Sequence, residues 1–151
     1  MTSFKKTASR GFTIVELLIV IVVIGILAGL VVVTYNGIQK KARDTERKTD
    51  INALHGQLEA YQAQNGKYPT LANVNLDTWR ADNMKGLDGA ALQDPNGDTQ
   101  ELAAATDEND YGYVEEPTDC DNGEAGGVDC TQYTLTATLE GGGTYEKKSL
   151  N

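Results

Sequence analysis

One histidine, two cysteines and three prolines occur among the 151 residues, and each scarcity excludes something. No proline precedes Pro69, so nothing upstream of it forces a helix to stop. Serine is confined to Ser3, Ser9 and Ser149, toward the two ends, and the single histidine, His55, falls between Ile51 and Leu58, where it reads as a packing residue. No set of nucleophile, base and orienting group can be assembled from these, so an enzyme is not expected. Zinc would need four ligands, which two cysteines and one distant histidine do not supply. From Gly86 to Glu146 there is neither lysine nor arginine, yet 15 of the 22 acidic residues lie there. Phosphate binding rests on those cations, so direct nucleic-acid binding by this acidic half is not expected. Its charge reads as a hydrated surface, part of a net charge of −9. There is no internal repeat.

What the chain does have is apolar content gathered in one place. Hydropathy averaged over the chain is negative, while Leu17 to Val33 carry no charge at all. Phe12 to Tyr35 contain a single charge, Glu16, and meet the requirement of about 20 apolar residues for a helix that crosses a bilayer. A carboxylate at that depth is expensive and marks a function with a partner. Gly25 and Gly29 form a G-x-x-x-G spacing that permits close helix approach. Lys5, Lys6 and Arg10 precede the run and hold the leader on the cytoplasmic side. A secretory signal peptide would have a shorter apolar core ending at small residues. Here the expected cut lies before the run, at Gly11, whose lack of a side chain leaves a peptidase unobstructed.

One helix is expected from Phe12 to about Asn65, apolar all round in its first half. In its second half Ile51, Leu54, Leu58 and Tyr61 recur at helical spacing, before the stop signal Asn65-Gly66 and then Pro69. Beyond it, Leu76, Trp79, Arg80, Met84 and Leu87 fit one short amphipathic helix, Gln100 to Ala105 a turn or two of another, and Asp94-Pro95-Asn96-Gly97 a turn. Tyr111 and Tyr113 suggest a short strand. Gln132 to Glu140 read as a strand with Tyr133, Leu135, Ala137 and Leu139 on one face. Gly141-Gly142-Gly143 then turns the chain into a hairpin partner at Thr144 to Lys148. The fold class is therefore α+β, a long N-terminal helix whose distal stripe packs on a small antiparallel sheet. The divisions are a leader 1–11, a transmembrane and polymerisation helix 12–35, its amphipathic continuation 36–66 and a head 67–151.

The basic leader, Arg10-Gly11-Phe12-Thr13, Glu16 and the apolar run resemble the N-terminus of type IV prepilins and their pseudopilin relatives. Ala42-Arg43-Asp44 and Asn65-Gly66-Lys67-Tyr68-Pro69-Thr70 are similar to sequences of the same group, so the resemblance is specific over about residues 5–70. It implies a pilin-like fold, cleavage between Gly11 and Phe12, N-methylation of Phe12, and polymerisation through the apolar helix. The implied partners are other copies of the chain, a prepilin peptidase, a platform membrane protein, an assembly ATPase and minor pilins, with the membrane as host before assembly. The implied destination is an extracellular filament on a bacterial surface serving motility, adhesion or DNA uptake. The alternatives are a pseudopilin of a secretion or competence system and a monomeric membrane-anchored binding domain. Glu16 of one subunit is expected to pair with the Phe12 amine of the next and so fix register. Many pilins carry a proline within this helix, where this chain has Val31-Val32-Val33, which leaves only the glycines to loosen it.

Lys40, Lys41, Arg43, Arg47 and Lys48 follow the membrane run, and helix pairs Lys40–Asp44 and Asp44–Lys48 are expected to offset some of that charge. Cys120 and Cys130, in a small, loop-rich, exported segment, suggest a disulfide. The resemblance and the disulfide together place the head outside. No cofactor is expected. Some pseudopilins hold calcium in the head, but Asp94, Asn96 and Asp98 only begin to match a calcium loop, since Thr99 stands where glycine is required. Intact mass of protein sheared from cells, with and without reductant, tests these expectations together. The released species should begin at Phe12, carry one added methyl group and shift on reduction.

Overall fold

A computed structural model describes residues 11–123 and 127–151. The leader Met1 to Arg10, with its expected cytoplasmic cations, lies outside the described residues. Helix α1 runs Ile14–Asn65 without a break, as the absence of proline permits. The chain divides into two compact units, Met1–Ile38 and Gln39–Asn151. In the first, every described side chain is exposed, including the whole apolar run. The second contains the core.

The amphipathic part of α1 buries the expected stripe of Ile51, Leu54, Leu58 and Tyr61. Gly66 ends the helix in the left-handed region (φ 78°), donating its N–H to the Gln62 carbonyl at 2.7 Å, a conformation that glycine adopts without a side-chain clash. Two helices then replace the one expected. Helix α2 is Leu71–Asn75, capped by Thr70, and α3 is Asp77–Asn83, with extended Leu76 between them. Helix α3 is the early part of the expected helix, with Leu76 as its N-cap and Trp79 and Arg80 within it; it ends at Asn83 and leaves Met84 and Leu87 beyond it, while α2 before Leu76 was not expected. Gln100 to Ala105 are not helical either; Ala103 forms a parallel bridge with Gly112 instead. A short 3-10 turn at Gly89–Leu92, capped by Asp88, has no periodic signal in the sequence.

Three antiparallel strands, β1 Gly112–Glu116, β2 Gln132–Thr138 and β3 Thr144–Lys148, form a sheet in that order. Tyr113 faces Leu135 across β1 and β2, and Tyr145 faces Ala137 across β2 and β3. The alternation in β2 is as the sequence indicates up to Ala137: Tyr133, Leu135 and Ala137 are buried, with the threonines between them half-buried, but the strand ends at Thr138, so Leu139 and Glu140 lie beyond it and Leu139 is only half-buried. They join Ile51, Leu54, Leu58, Tyr68, Tyr111 and Tyr113 in one core. The long connection from β1 to β2 is closed by the Cys120–Cys130 disulfide, and both sulfur-bearing residues are buried.

Within this unit the polar contacts converge on Arg47. It is wholly buried, and its guanidinium grips Asp94 with two bonds, Nε to Oδ2 at 2.7 Å and Nη2 to Oδ1 at 2.8 Å. Its Nη1 reaches Asp44 at 3.0 Å and Glu140 at 3.2 Å. Glu140 also receives Arg43 through both oxygens. Asp44 accepts the backbone N–H of Glu140 at 2.8 Å and of Gly141 at 2.9 Å. The expected pairs Lys40–Asp44 and Asp44–Lys48 are therefore absent among the described residues. Arg47 and two amides claim the Asp44 carboxylate instead, because a buried fork satisfies more of it than a solvated ammonium would. The Asp94–Gly97 turn is formed as expected, Gly97 N–H donating to the Asp94 carbonyl at 2.8 Å. A side chain at Gly97 would collide with the Asn109 carbonyl.

Two titrations follow from this arrangement. Hydrogen bonds from Arg43, with Asn96 and Arg47 adding to them, hold Glu140 down to about 2 from an ordinary 4.5. Burial pushes Asp50 up to about 6 from 3.8, with Glu46, Asp94 and Asp88 nearby, although the Tyr111 hydroxyl donates to it at 2.9 Å. The depressed Glu140 adds stability that is present above pH 4.5 and lost as pH falls toward 2. The raised Asp50 favours its protonated form, so stability declines as pH rises from 3.8 through about 6. Urea midpoints across this range should rise and then fall, and Asp50→Asn should abolish the fall while leaving the rise. Arg47→Ala strands Asp94 in the core and should lower unfolding free energy by about 3–5 kcal/mol, measured by denaturant titration of the detergent-solubilised chain.

Candidate functional site

Exposed apolar surface is the first property of the N-terminal unit. Phe12 and the side chains from Ile14 to Val33 have no packing partner that buries them, and this stretch of α1 is long and apolar enough to cross a membrane. Gly25 and Gly29 both face open space, one helical turn apart. Their missing side chains leave the backbone accessible to another helix.

Glu16 is the lone charge among the described residues of this unit, and its carboxylate is already oriented. Thr13 donates to Glu16 Oε2 from its backbone N–H at 2.8 Å and from its hydroxyl at 2.7 Å. In return, the Glu16 N–H donates to the Thr13 hydroxyl oxygen at 3.2 Å. Thr13-Ile14-Val15-Glu16 is thus a capping box at the start of α1, closing two N–H groups that the helix cannot satisfy itself. Sequence reasoning singled out Glu16 and missed Thr13. The signal was present as a threonine three residues before a glutamate at the head of an apolar run. Both bonds to the carboxylate go to Oε2, and Oε1 takes none among the described residues. Phe12, its expected partner, is exposed and makes no hydrogen bond to Glu16 within the same copy. Gly11 is also exposed.

The head unit contains a second polar cluster, centred on Glu59. Its carboxylate accepts the hydroxyls of Tyr133 at 2.8 Å and Tyr68 at 3.0 Å, and the Leu150 N–H at 3.3 Å. His55 Nδ1 lies 2.6 Å from the same Tyr133 hydroxyl. The histidine is therefore a hydrogen-bonding member of a tyrosine cluster rather than only a packing residue. Burial, reinforced by Glu59, raises the Tyr133 pKa far above its usual value, so its proton stays in place. That arrangement fastens strand, helix and tail to one another. Asp94, the first residue of the partial calcium-loop match, has both oxygens occupied by Arg47.

The prokaryotic N-terminal methylation motif matches residues 6–32. Type II secretion system core protein G of Aeromonas hydrophila is 36% identical over 107 residues, covering 65% of this chain and 75% of that protein. The corresponding protein of Dickeya chrysanthemi is 46% identical over 61 residues, 40% of each chain. The type IV major pilin protein PilA of Myxococcus xanthus is 34% identical over 65 residues, 43% of this chain and 30% of that protein. The chain thus spans less than half the length of the Dickeya and Myxococcus relatives. No solved structure matches it. A methylation motif over the leader junction, a capped apolar helix with one carboxylate, and similarity over three quarters of the Aeromonas protein agree: this chain belongs to the family of type IV pilins and pseudopilins.

Proposed function

We propose that the chain polymerises through its apolar helix into a pseudopilus-like filament of a type II secretion-type system. One observation carries the filament reading. An apolar helix is exposed on all sides and interrupted only by Glu16, whose carboxylate is held by Thr13 with one oxygen unused. Burial among identical helices removes that surface from water and lipid. It also brings Glu16 within the reach of a cationic Phe12 amine on the next copy, freed by cleavage after Gly11 and methylated there. Such a pair in low dielectric sets axial register, because a shifted neighbour leaves both charges unpaired. Gly25 and Gly29 support close helix packing in the same bundle. The partners this requires are a prepilin peptidase, a platform membrane protein, an assembly ATPase and minor subunits. The precursor sits in the membrane as a single-pass protein.

The secretion assignment is supported by the extent of similarity to the Aeromonas core protein G. A second reading, a surface pilus for motility, adhesion or DNA uptake, is favoured by the similarity to the Myxococcus major pilin. Either role is structural rather than catalytic. Glu16→Val tests the shared mechanism: the protein should accumulate in the membrane while filaments disappear. Normal filaments from that variant would sink the register mechanism. Electron microscopy of sheared fractions from wild-type cells separates the readings, since abundant long surface fibres would favour the pilus and their absence, with impaired protein export on deletion, the pseudopilus.

A further inference from the structure

We infer that a lysine strip beside the outer strand of the sheet docks the acidic segment of a second copy, so that neighbouring heads in the filament are joined by charge. The inference rests on the filament reading above. It begins with how the cations of the head are used. Arg43 and Arg47 are committed to Glu140 and Asp94, Arg80 to Asp77, and Lys67 to Asp129. Lys40, Lys41, Lys48, Lys85, Lys147 and Lys148 make no ion pair among the described residues. Two of them converge on one ring: Lys48 Nζ lies 5.9 Å and Lys147 Nζ 6.0 Å from the centre of Tyr145. The Tyr145 hydroxyl is fixed by Asn52 at 3.1 Å.

Lys41, Thr45, Lys48 and Asn52 recur at spacings of four, three and four, which places them on one face of α1, with no acid among them. Tyr145 and Lys147 lie on the helix-facing side of β3, paired with Ala137 and Leu135, whereas Glu146 lies on the other side. Asp44, the acid one turn before Lys48, is already bound to Arg47 and two backbone amides. The strip therefore presents positive charge around a partly exposed tyrosine, a residue suited to interfaces because it is apolar along its body and polar at its tip.

The complementary surface is on the same chain. Asp98, Glu101, Asp107 and Glu108 are exposed and form no ion pair among the described residues, in a segment without lysine or arginine. Subunits in an open helical array meet through two different patches, because the contact is head-to-tail. Two lysine strips repel each other, as do two acidic segments, whereas one of each attracts. Such rim charges govern encounter and register more than affinity, and salt weakens them.

Zero-length carbodiimide cross-linking tests this directly, because it joins only ammonium and carboxylate groups in contact. Filaments would be assembled from a mixture of isotope-labelled and unlabelled full chains, cross-linked, and digested for mass spectrometry. Amides between Lys48 or Lys147 and one of Asp98, Glu101, Asp107 and Glu108, in mixed labelled–unlabelled pairs, are the expected result. Filaments that form but yield those links only within one copy, or link those lysines to other acids, overturn the inference. Failure of the wild-type chain to form filaments overturns the filament reading itself and this contact with it. Lys48→Glu combined with Lys147→Glu should reduce filament yield by about tenfold at low salt. Adding Glu101→Lys and Glu108→Lys should restore it; an unchanged yield in the first variant overturns the contact. Loss of binding to phosphatidylglycerol vesicles by the first variant, with filament yield intact, would assign the strip to anionic lipid instead.

Discussion

The buried grip of Arg47 on Asp94 is the constraint on which the head depends. A guanidinium without any exposed surface is tolerable only when each of its nitrogens has an acceptor. Asp94, Asp44 and Glu140 meet that demand from three places: a loop turn, the same helix and the end of the β2–β3 hairpin. Because they come from separate segments, satisfying one side chain fixes the position of all three. The requirement extends outward. Asp44 accepts the backbone amides at the hairpin turn, Glu140 takes Arg43 and Asn96, and Gly97 must be small so that the turn carrying Asp94 fits beneath the Asn109 carbonyl.

The Glu59 cluster does the same at the far end of the amphipathic helix. Tyr68, Tyr133 and Leu150 all donate to one carboxylate, and the edge-on contact of Tyr68 with Tyr133, 4.8 Å between ring centres, fills the space beneath them. No buried side-chain nitrogen or oxygen among the described residues lacks a hydrogen bond. A small core can carry this much polarity when every group is satisfied, and the polar pairs then specify which loop lies where. Apolar burial by Ile51, Leu54, Leu58 and Leu135 supplies attraction without such direction.

The N-terminal unit follows the opposite principle. Its apolar side chains are exposed, and the one charge among its described residues, Glu16, is turned back into a capping box with Thr13. Within a single copy this arrangement is incomplete in one sense only: the surface has nothing to bury against. The head satisfies its buried polar groups internally, whereas the apolar helix lacks anything to cover it and, on the proposed reading, finds it first in lipid and then in its own kind.

The sequence by itself determined the elements whose signal is local. The apolar run, the absence of proline before Pro69 and the alternation from Tyr133 to Ala137 each encode their structure in spacing, because burial on one face repeats with the period of the backbone. The capping box is equally legible, as a threonine three residues before a glutamate at the head of the apolar run. Tertiary structure alone decided which acid meets which cation. Asp44 has lysines four residues to either side, which is the local expectation, yet it binds Arg47 and the amides of a hairpin distant in sequence. It alone also divided α2 from α3 at Leu76 and refused a helix to Gln100–Ala105. Those outcomes turn on partners brought close by folding, and no spacing in the chain records the distance between them.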